Sequence, residues 1–231
     1  MKYPEISVIV PFYKEAAIIK NTLSILDNFL SGHFEKYEII AVTDGSPDET
    51  LEKIKNFGTN HKEAPLRLIS FGRNQGKGAA VKEGVLAAKY NAILFTDADL
   101  AIPIEELETF LPVLEHSDIV IASRLAPGSL LEEATPWYRT LLARGFHALQ
   151  ILLLGNFEFS DTQCGFKLFR KTVAQDLFSQ STIKRFAFDA EILFLAKRFD
   201  YSVSILPVTI RRDTRNTNVD ILRDPINMFF A

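Results

Sequence analysis

The sequence predicts an α/β domain: a mostly parallel central sheet with helices on both faces. Three observations carry this reading. Short apolar runs rich in β-branched residues alternate four times with helix-like stretches. Helix-start signals recur where the pattern switches from strand to helix. At 231 residues and 47% hydrophobic composition, the chain is long enough for one domain with a sizeable core.

In chain order, strands are predicted over 8–10, 38–42, 66–69, 92–95 and 119–121, with helices over 15–29, 48–57, 78–89 and 104–114 between them. Ser46-Pro47-Asp48-Glu49 reads as an N-cap, a first-turn proline and acids at the positive end of the helix dipole. Pro103 followed by Glu105 and Glu106 repeats that pattern. Beyond Ala122 the alternation weakens. A Pro/Gly-containing loop leads to a helix over 137–154, and 161–170 is polar and then strand-like. A helix over 189–198 and a strand over 203–207 close the fold, and the polar tail RRDTRNTNVD reads as mobile or ordered only by a ligand.

Charge excludes some functions. Lys+Arg number 26 against 29 Asp+Glu, with no long basic run, so no nucleic-acid partner is expected. The lone cysteine, Cys164, excludes an internal disulfide and a multi-cysteine metal cage, in keeping with a reducing compartment. The apolar run near the N-terminus is too short for a signal peptide or a membrane span. Segment 141–159 is rich in Leu, Ile and Phe but is interrupted by Arg144, His147 and Gln150. It fits either a core helix or an amphipathic helix on a membrane surface. The expectation is a soluble or peripheral chain.

In open parallel sheets, ligands bind beyond the carboxyl ends of the strands. Residues 11–15 follow the first strand, 43–46 the second, 72–78 the third, and Asp97-Ala98-Asp99 the fourth. Side chains two apart in an extended chain point to the same side, so Asp97 and Asp99 can both face one ligand at the strand's end, and two hard oxygen donors suit Mg²⁺ or Mn²⁺. The alternative is that Asp99 caps the next helix, although Pro103 favours a later start. RNQGKGAAVKEG offers glycines, Lys77 and a helix N-terminus to a phosphate. It lacks the Ser or Thr of a P-loop and has Val81 where a dinucleotide fingerprint needs glycine, so it equally reads as a turn. Asp44 fits a base or ribose contact or an ordinary turn. Tyr13 and Glu15 fit a nucleoside contact, Glu15 equally a first-turn acid.

Taken in order and spacing, PFYKE, VTDGSPDET, GKGAAVKEG, DADL and ASR resemble the nucleotide-sugar glycosyltransferases of glycosyltransferase family 2. The match is closest to the polyprenyl-phosphate branch, which includes dolichyl-phosphate mannose synthases and dolichyl-phosphate β-glucosyltransferases. The resemblance runs from about residue 6 to 219 and implies a single type A glycosyltransferase domain over 1–231. Residues 1–122 would form the nucleotide-sugar half and 123–231 the acceptor half. It further implies that Pro11, Tyr13 and Glu15 line the nucleoside pocket, Asp44 bonds the base, Lys77 lies near the donor, Asp97 near its ribose, and Asp99 on the metal with Asp97 beside it. Arg124 and Arg139 would bind the acceptor phosphate.

DTQCGFKLF and FAFDAEILF resemble the glucosyl type more than the mannosyl type. Thr43 departs from the usual paired acids, Ala101 from a metal-binding glutamine, and Ala143 from a serine near the acceptor phosphate. The implied reaction moves a hexose, UDP-glucose favoured as donor, to a polyprenyl phosphate at the cytoplasmic face of a membrane. The alternatives are GDP-mannose as donor, a soluble acceptor, or a catalytically idle nucleotide-sugar-binding module. A neutral alcohol acceptor would need a general base, for which Asp161 and Asp189 are the candidates. Without the resemblance, Asp161 reads equally as part of a capped turn, and Asp189 and Glu191 as first-turn helix acids. The sequence ends in the apolar stub INMFFA, which fits a helix cut short or a natural end.

Overall fold

The computed structural model describes residues 3–132, 159 and 161–211. Nine strands are present among them: β1 (Tyr3–Phe12), β2 (Phe34–Thr43), β3 (Leu66–Ser70), β4 (Ala92–Thr96), β5 (Ile119–Ser123), β6 (Leu130–Leu131), β7 (Phe166–Arg170), β8 (Val203–Pro207) and β9 (Thr209–Ile210). The helices are α1 (Ile19–His33), α2 (Thr50–Asn60), α3 (Lys77–Ala87), α4 (Leu107–Leu114), α5 (Lys171–Gln180) and α6 (Phe188–Arg198). A 3-10 turn over Ile104–Glu106 leads into α4.

Seven strands form one sheet in the order β3-β2-β1-β4-β7-β5-β8. Every pairing is parallel except those of β7, which runs antiparallel to both β4 and β5. Successive residues of a strand face opposite sides, and the burial follows. Val8 and Val10 pack under α1, α2 and α4, while Ile9, Ile93 and Phe95 pack under α3, α5 and α6. The result is a helix–sheet–helix sandwich. Helix α1 shows why such an element forms: Leu23, Leu26 and Leu30 fall on one face and are wholly buried. Each contributes about 1.5–3 kcal/mol relative to exposure.

The predicted strands all appear, several of them longer, and the last predicted helix and strand match α6 and β8 closely. Helix α1 begins at Ile19 rather than at residue 15. Lys14 sits in the left-handed region (φ 58°), and the Glu15 amide donates to Thr50 Oγ1 at 3.1 Å, which holds both residues in a loop. Ser46 does not cap α2. Its hydroxyl accepts the Lys14 amide at 3.0 Å, tying the first two post-strand loops together. The predicted helix over 137–154, Arg139, Ala143 and the tail beyond Arg211 lie outside the described residues, as does all of segment 141–159 except Phe159. No described helix is long and apolar enough to cross a membrane.

Two features of the sheet position the site. From β1 the chain moves outward through β2 and β3, then returns to place β4 on β1's other side, so the strand order reverses between β1 and β4, the place where open parallel sheets bind ligands at their carboxyl ends. Because β7 is antiparallel, its first residue, Phe166, pairs with the last of β4, Thr96. Residues 161–165 are thereby delivered to the same end of the sheet as Asp97.

Candidate active site

Asp97 and Asp99 follow β4 in a turn, not an extended strand. Leu100 takes a left-handed conformation (φ 50°), and its amide donates to Asp97 O at 3.1 Å. Thr22 Oγ1 anchors the turn from α1 by donating to Ala98 O at 2.7 Å. Asp99 Oδ1 accepts the Ala101 amide at 3.1 Å, while the following helical turn is capped at Pro103. Asp99 therefore shapes the turn and does not cap the helix. The two carboxylates meet because of this turn, and both line a recess of about 140 Å³ together with Ala101, Arg124, Gln163 and Gly165.

Gly165 allows Asp97 to sit where it does. The Asp97 amide donates to Gly165 O at 3.2 Å, and a Cβ on residue 165 would overlap the Asp97 carboxylate. Gly165→Ala is therefore expected to displace Asp97 and to weaken any divalent-cation binding at the recess by about tenfold or more. Titration calorimetry with Mn²⁺ checks this. Wild-type affinity in the folded variant would show that Asp97 takes no part.

Arg124 enters from the end of β5 in the grip of Asp161. The Arg124 amide and Nε each donate to Asp161 Oδ2 at 2.8 Å, and Nη2 donates to Oδ1 at 2.7 Å. Asp161 is 6% exposed, whereas 45% of the Arg124 side-chain surface remains open. Burial alone would raise the Asp161 pKa, but hydrogen bonds and charge from Arg124 outweigh it and hold the carboxyl below its ordinary value. That sign fixes a pH dependence. The pair's stabilisation is present above the unfolded carboxyl's pKa of about 3.9 and is lost as pH falls toward the lower folded value. Urea denaturation across pH 5 to 2 should show this loss, reduced in Asp161→Asn.

Behind the recess, four groups alternate in sign. Lys77 Nζ lies 2.6 Å from Asp97 Oδ1 and 5.3 Å from the centre of the Phe95 ring. Farther in, Lys167 pairs with Asp189, both under 4% exposed, and Lys167 Nζ also donates to Cys164 O at 2.7 Å. Burial pushes the Asp189 carboxyl up while Lys167 and Lys77 pull it back. Burial alone would lower the Lys77 pKa; Asp97, Asp189 and Asp99 together hold it above its ordinary value. Burial pushes the Cys164 thiol up to about 12, so it is not a nucleophile near neutral pH.

At the carboxyl end of β1, Tyr13 is 42% exposed, and Pro11 and Glu15 are half-buried beside it in sequence. Asp44 is 3% exposed and already engaged. Its Oδ1 accepts the Gln75 amide at 2.7 Å, and its Oδ2 accepts the Gly76 amide at 2.8 Å and Asn74 Nδ2 at 2.9 Å. The Ala79 amide donates to Lys184 O at 3.0 Å. These three amides of the glycine-rich loop are thus engaged inside the protein, which orders the turn that leads into α3. Gly76 (φ 108°) is required there, since a side chain would run into the Lys184 carbonyl.

The structure brings Asp97, Asp99, Lys77, Arg124 and Asp161 together. Arg139 lies outside the described residues. Sequence reasoning missed Gly165, Lys167 and Gln163. Gln163 lines the recess and holds a buried amide nitrogen with no hydrogen-bond partner among the described residues. DTQCGFK is the motif that contains all three.

The donor set fits a hard divalent cation. No group of three or more His, Cys, Asp or Glu side chains among the described residues could cage a metal alone. Two carboxylates at one recess instead suit an ion that takes its remaining ligands from phosphate and water. Asp97 Oδ1 meets Lys77 and Asp99 Oδ1 accepts the Ala101 amide, so the contacts single out neither carboxylate as the metal ligand.

The Glycosyl transferase family 2 profile matches residues 7–178, about three quarters of the chain. The protein belongs to glycosyl transferase family 2. Among curated relatives, a dolichyl-phosphate beta-glucosyltransferase of Drosophila melanogaster is 35% identical over 217 residues, covering 88% of this chain and 66% of the relative. The Dictyostelium discoideum protein of the same name is 31% identical over 244 residues, covering 97% and 74%. The chain thus spans about two thirds of the length of these relatives. Among solved structures, glucosyl-3-phosphoglycerate synthase from Mycobacterium tuberculosis in complex with Mn²⁺, UDP and glucosyl-3-phosphoglycerate shares the fold with a TM-score of 0.66. It is 20% identical, over 98% of this chain and 78% of that one. Staphylococcus aureus TarS gives a TM-score of 0.55 at 22% identity, over 91% and 60%.

Proposed function

We propose that this family 2 protein is an inverting hexosyltransferase that moves glucose from UDP-glucose onto a polyprenyl phosphate, such as dolichyl phosphate, at the cytoplasmic face of a membrane. One observation carries the reading: a half-exposed arginine, Arg124, faces the same recess as Asp97 and Asp99. The recess thus joins a cation for an incoming phosphate to carboxylates for a metal on a departing diphosphate. The names of the curated relatives support the acceptor, and the Mn²⁺ and UDP-glucose bound by the mycobacterial synthase support the donor.

In this reaction an acceptor phosphate oxygen bonds to C1 of the hexose as the C1–O bond to the diphosphate breaks, and the electron pair leaves with UDP. Attack opposite the leaving group inverts C1. The nucleophile is already anionic, so no strong base is required. The difficulty lies in orienting two phosphate-bearing substrates against their repulsion. Arg124 would hold the acceptor phosphate through charge-assisted hydrogen bonds, with Arg139 as a second such cation. Pro11, Tyr13 and Glu15 would wall the nucleoside, Asp44 would hold residues 74–76 in place beside it, and Lys77 would fix Asp97. Asp99, helped by Asp97, would hold Mg²⁺ or Mn²⁺, which when bound offsets charge on the departing diphosphate. Residues 1–122 would supply the donor half and 123–231 the acceptor half.

The test pairs a thermal-shift panel with a transfer assay. UDP and UDP-glucose with Mn²⁺, each at 100 times its Kd, should add about 2.7 kcal/mol of stability, and EDTA should remove it. Transfer of radiolabelled glucose to polyprenyl phosphate should follow. A preference for GDP and GDP-mannose would overturn the donor assignment, and binding without transfer would point to an idle module.

A further inference from the structure

We propose that Asp161 is a positioning residue acting through Arg124 and not the proton acceptor of the reaction. The inference rests on the reading of the recess as the transferase site. The Asp161 carboxylate offers about four lone-pair sites, and three are taken by Arg124: its amide, its Nε and its Nη2. A base must keep a lone pair aimed at the acceptor, whereas this carboxylate is buried behind the arginine it holds.

The contact constrains Arg124 at two points. Binding of the backbone amide fixes where the residue leaves β5, and the two-pronged contact to Nε and Nη2 fixes the plane of the guanidinium. Two of the five guanidinium N–H donors go to Asp161, which leaves three for a ligand in the recess that Arg124 lines with Asp97 and Asp99. A long, half-exposed side chain would otherwise sample many rotamers, and ordering it before the phosphate arrives removes that entropy from binding. The ligand class this suits is a phosphate monoester, which receives parallel N–H bonds from a planar donor. Asp161 itself is set in place by the antiparallel run of β7, because residues 161–165 arrive opposite the ends of β4 and β5.

The experiment is a double-mutant cycle with UDP-glucose, Mn²⁺ and a short-chain polyprenyl phosphate, using wild type, Asp161→Asn, Arg124→Gln and the pair. Expected for Asp161→Asn are an acceptor KM raised about tenfold, a smaller fall in kcat, and an unchanged Kd for UDP. In the Arg124→Gln background the same change should cost less than about threefold, because the group it positions is gone. A fall in kcat with unchanged acceptor KM, of equal size in both backgrounds and with the acid limb of the pH–rate profile lost, would make Asp161 the base and overturn the proposal. Should Asp161→Asn fail to fold, Asp161→Glu decides the matter. It retains a base but pushes Arg124 outward, so positioning predicts a raised acceptor KM and general-base catalysis predicts a near-normal one. No transfer by the wild type, with UDP binding intact, would instead remove the transferase reading and this inference with it.

Discussion

On the proposed function, Asp99→Ala is expected to lower glucosyl transfer by on the order of 10²-fold or more and to abolish the Mn²⁺-dependent part of UDP binding. The reasoning is geometric. Asp99 lines the recess on the carboxyl side of β4 beside Asp97, the one other carboxylate among its lining residues. No cluster of donors among the described residues stands ready to replace it. The fold should survive, because Asp99 is exposed and the bond it makes to the Ala101 amide contributes about 1 kcal/mol. Circular dichroism melting, with UDP titrations in Mn²⁺ and in EDTA, separates the two effects. Wild-type transfer by the folded variant would remove the metal role from this residue.

Lys167→Met is expected to destabilise the fold strongly. Lys167 lies on a central strand, paired with Phe95 on one side and Ile121 on the other, and faces the α3–α6 layer, where its ammonium meets Asp189. Removing the ammonium leaves a buried carboxylate without its partner and a Cys164 carbonyl without its donor. Breaking such a pair costs about 3–5 kcal/mol, or roughly 6–20 °C in Tm for a chain of this size. Replacing both partners, as Lys167→Met with Asp189→Leu, should recover most of the loss, since apolar pairs of similar volume often match or exceed buried ion pairs. If the single variant melts like the wild type, the two charges are not a buried pair in solution.

These two sites were unequally legible in the sequence. Asp97 and Asp99 stand out because two acids closing an apolar run are a local pattern, and the end of a parallel strand is where such a fold binds ligands. Their geometry was misjudged, because nothing in DADL announces the left-handed turn at Leu100. Lys167 had no local signal: it sits in GFKLF as any alternating strand residue might, and only the three-dimensional order of strands reveals that both its neighbours are buried. The same holds for Gly165 and Asp161, which reach the recess because β7 inserts antiparallel between β4 and β5. Hydrophobic periodicity identifies a strand but carries no information about its neighbour or direction. Asp44 and the glycine-rich loop show the same limit: the sequence displays the loop's donors but not that Asp44 accepts the Gln75 and Gly76 amides and Lys184 O the Ala79 amide.

The insertion of β7 also bears on how such enzymes can be recombined. A chimera that joins residues 1–122 of this chain to the second half of another transferase inherits β4 and β5 with their facing edges unpaired until the newcomer supplies a strand of matching length and register. That strand must also bring a glycine opposite Asp97 and an acid opposite Arg124. Donor and acceptor preferences are therefore expected to be exchangeable only between parents that share the 161–170 segment. A swap that keeps 161–170 native and replaces what surrounds it should yield soluble hybrids more often than one made at residue 122.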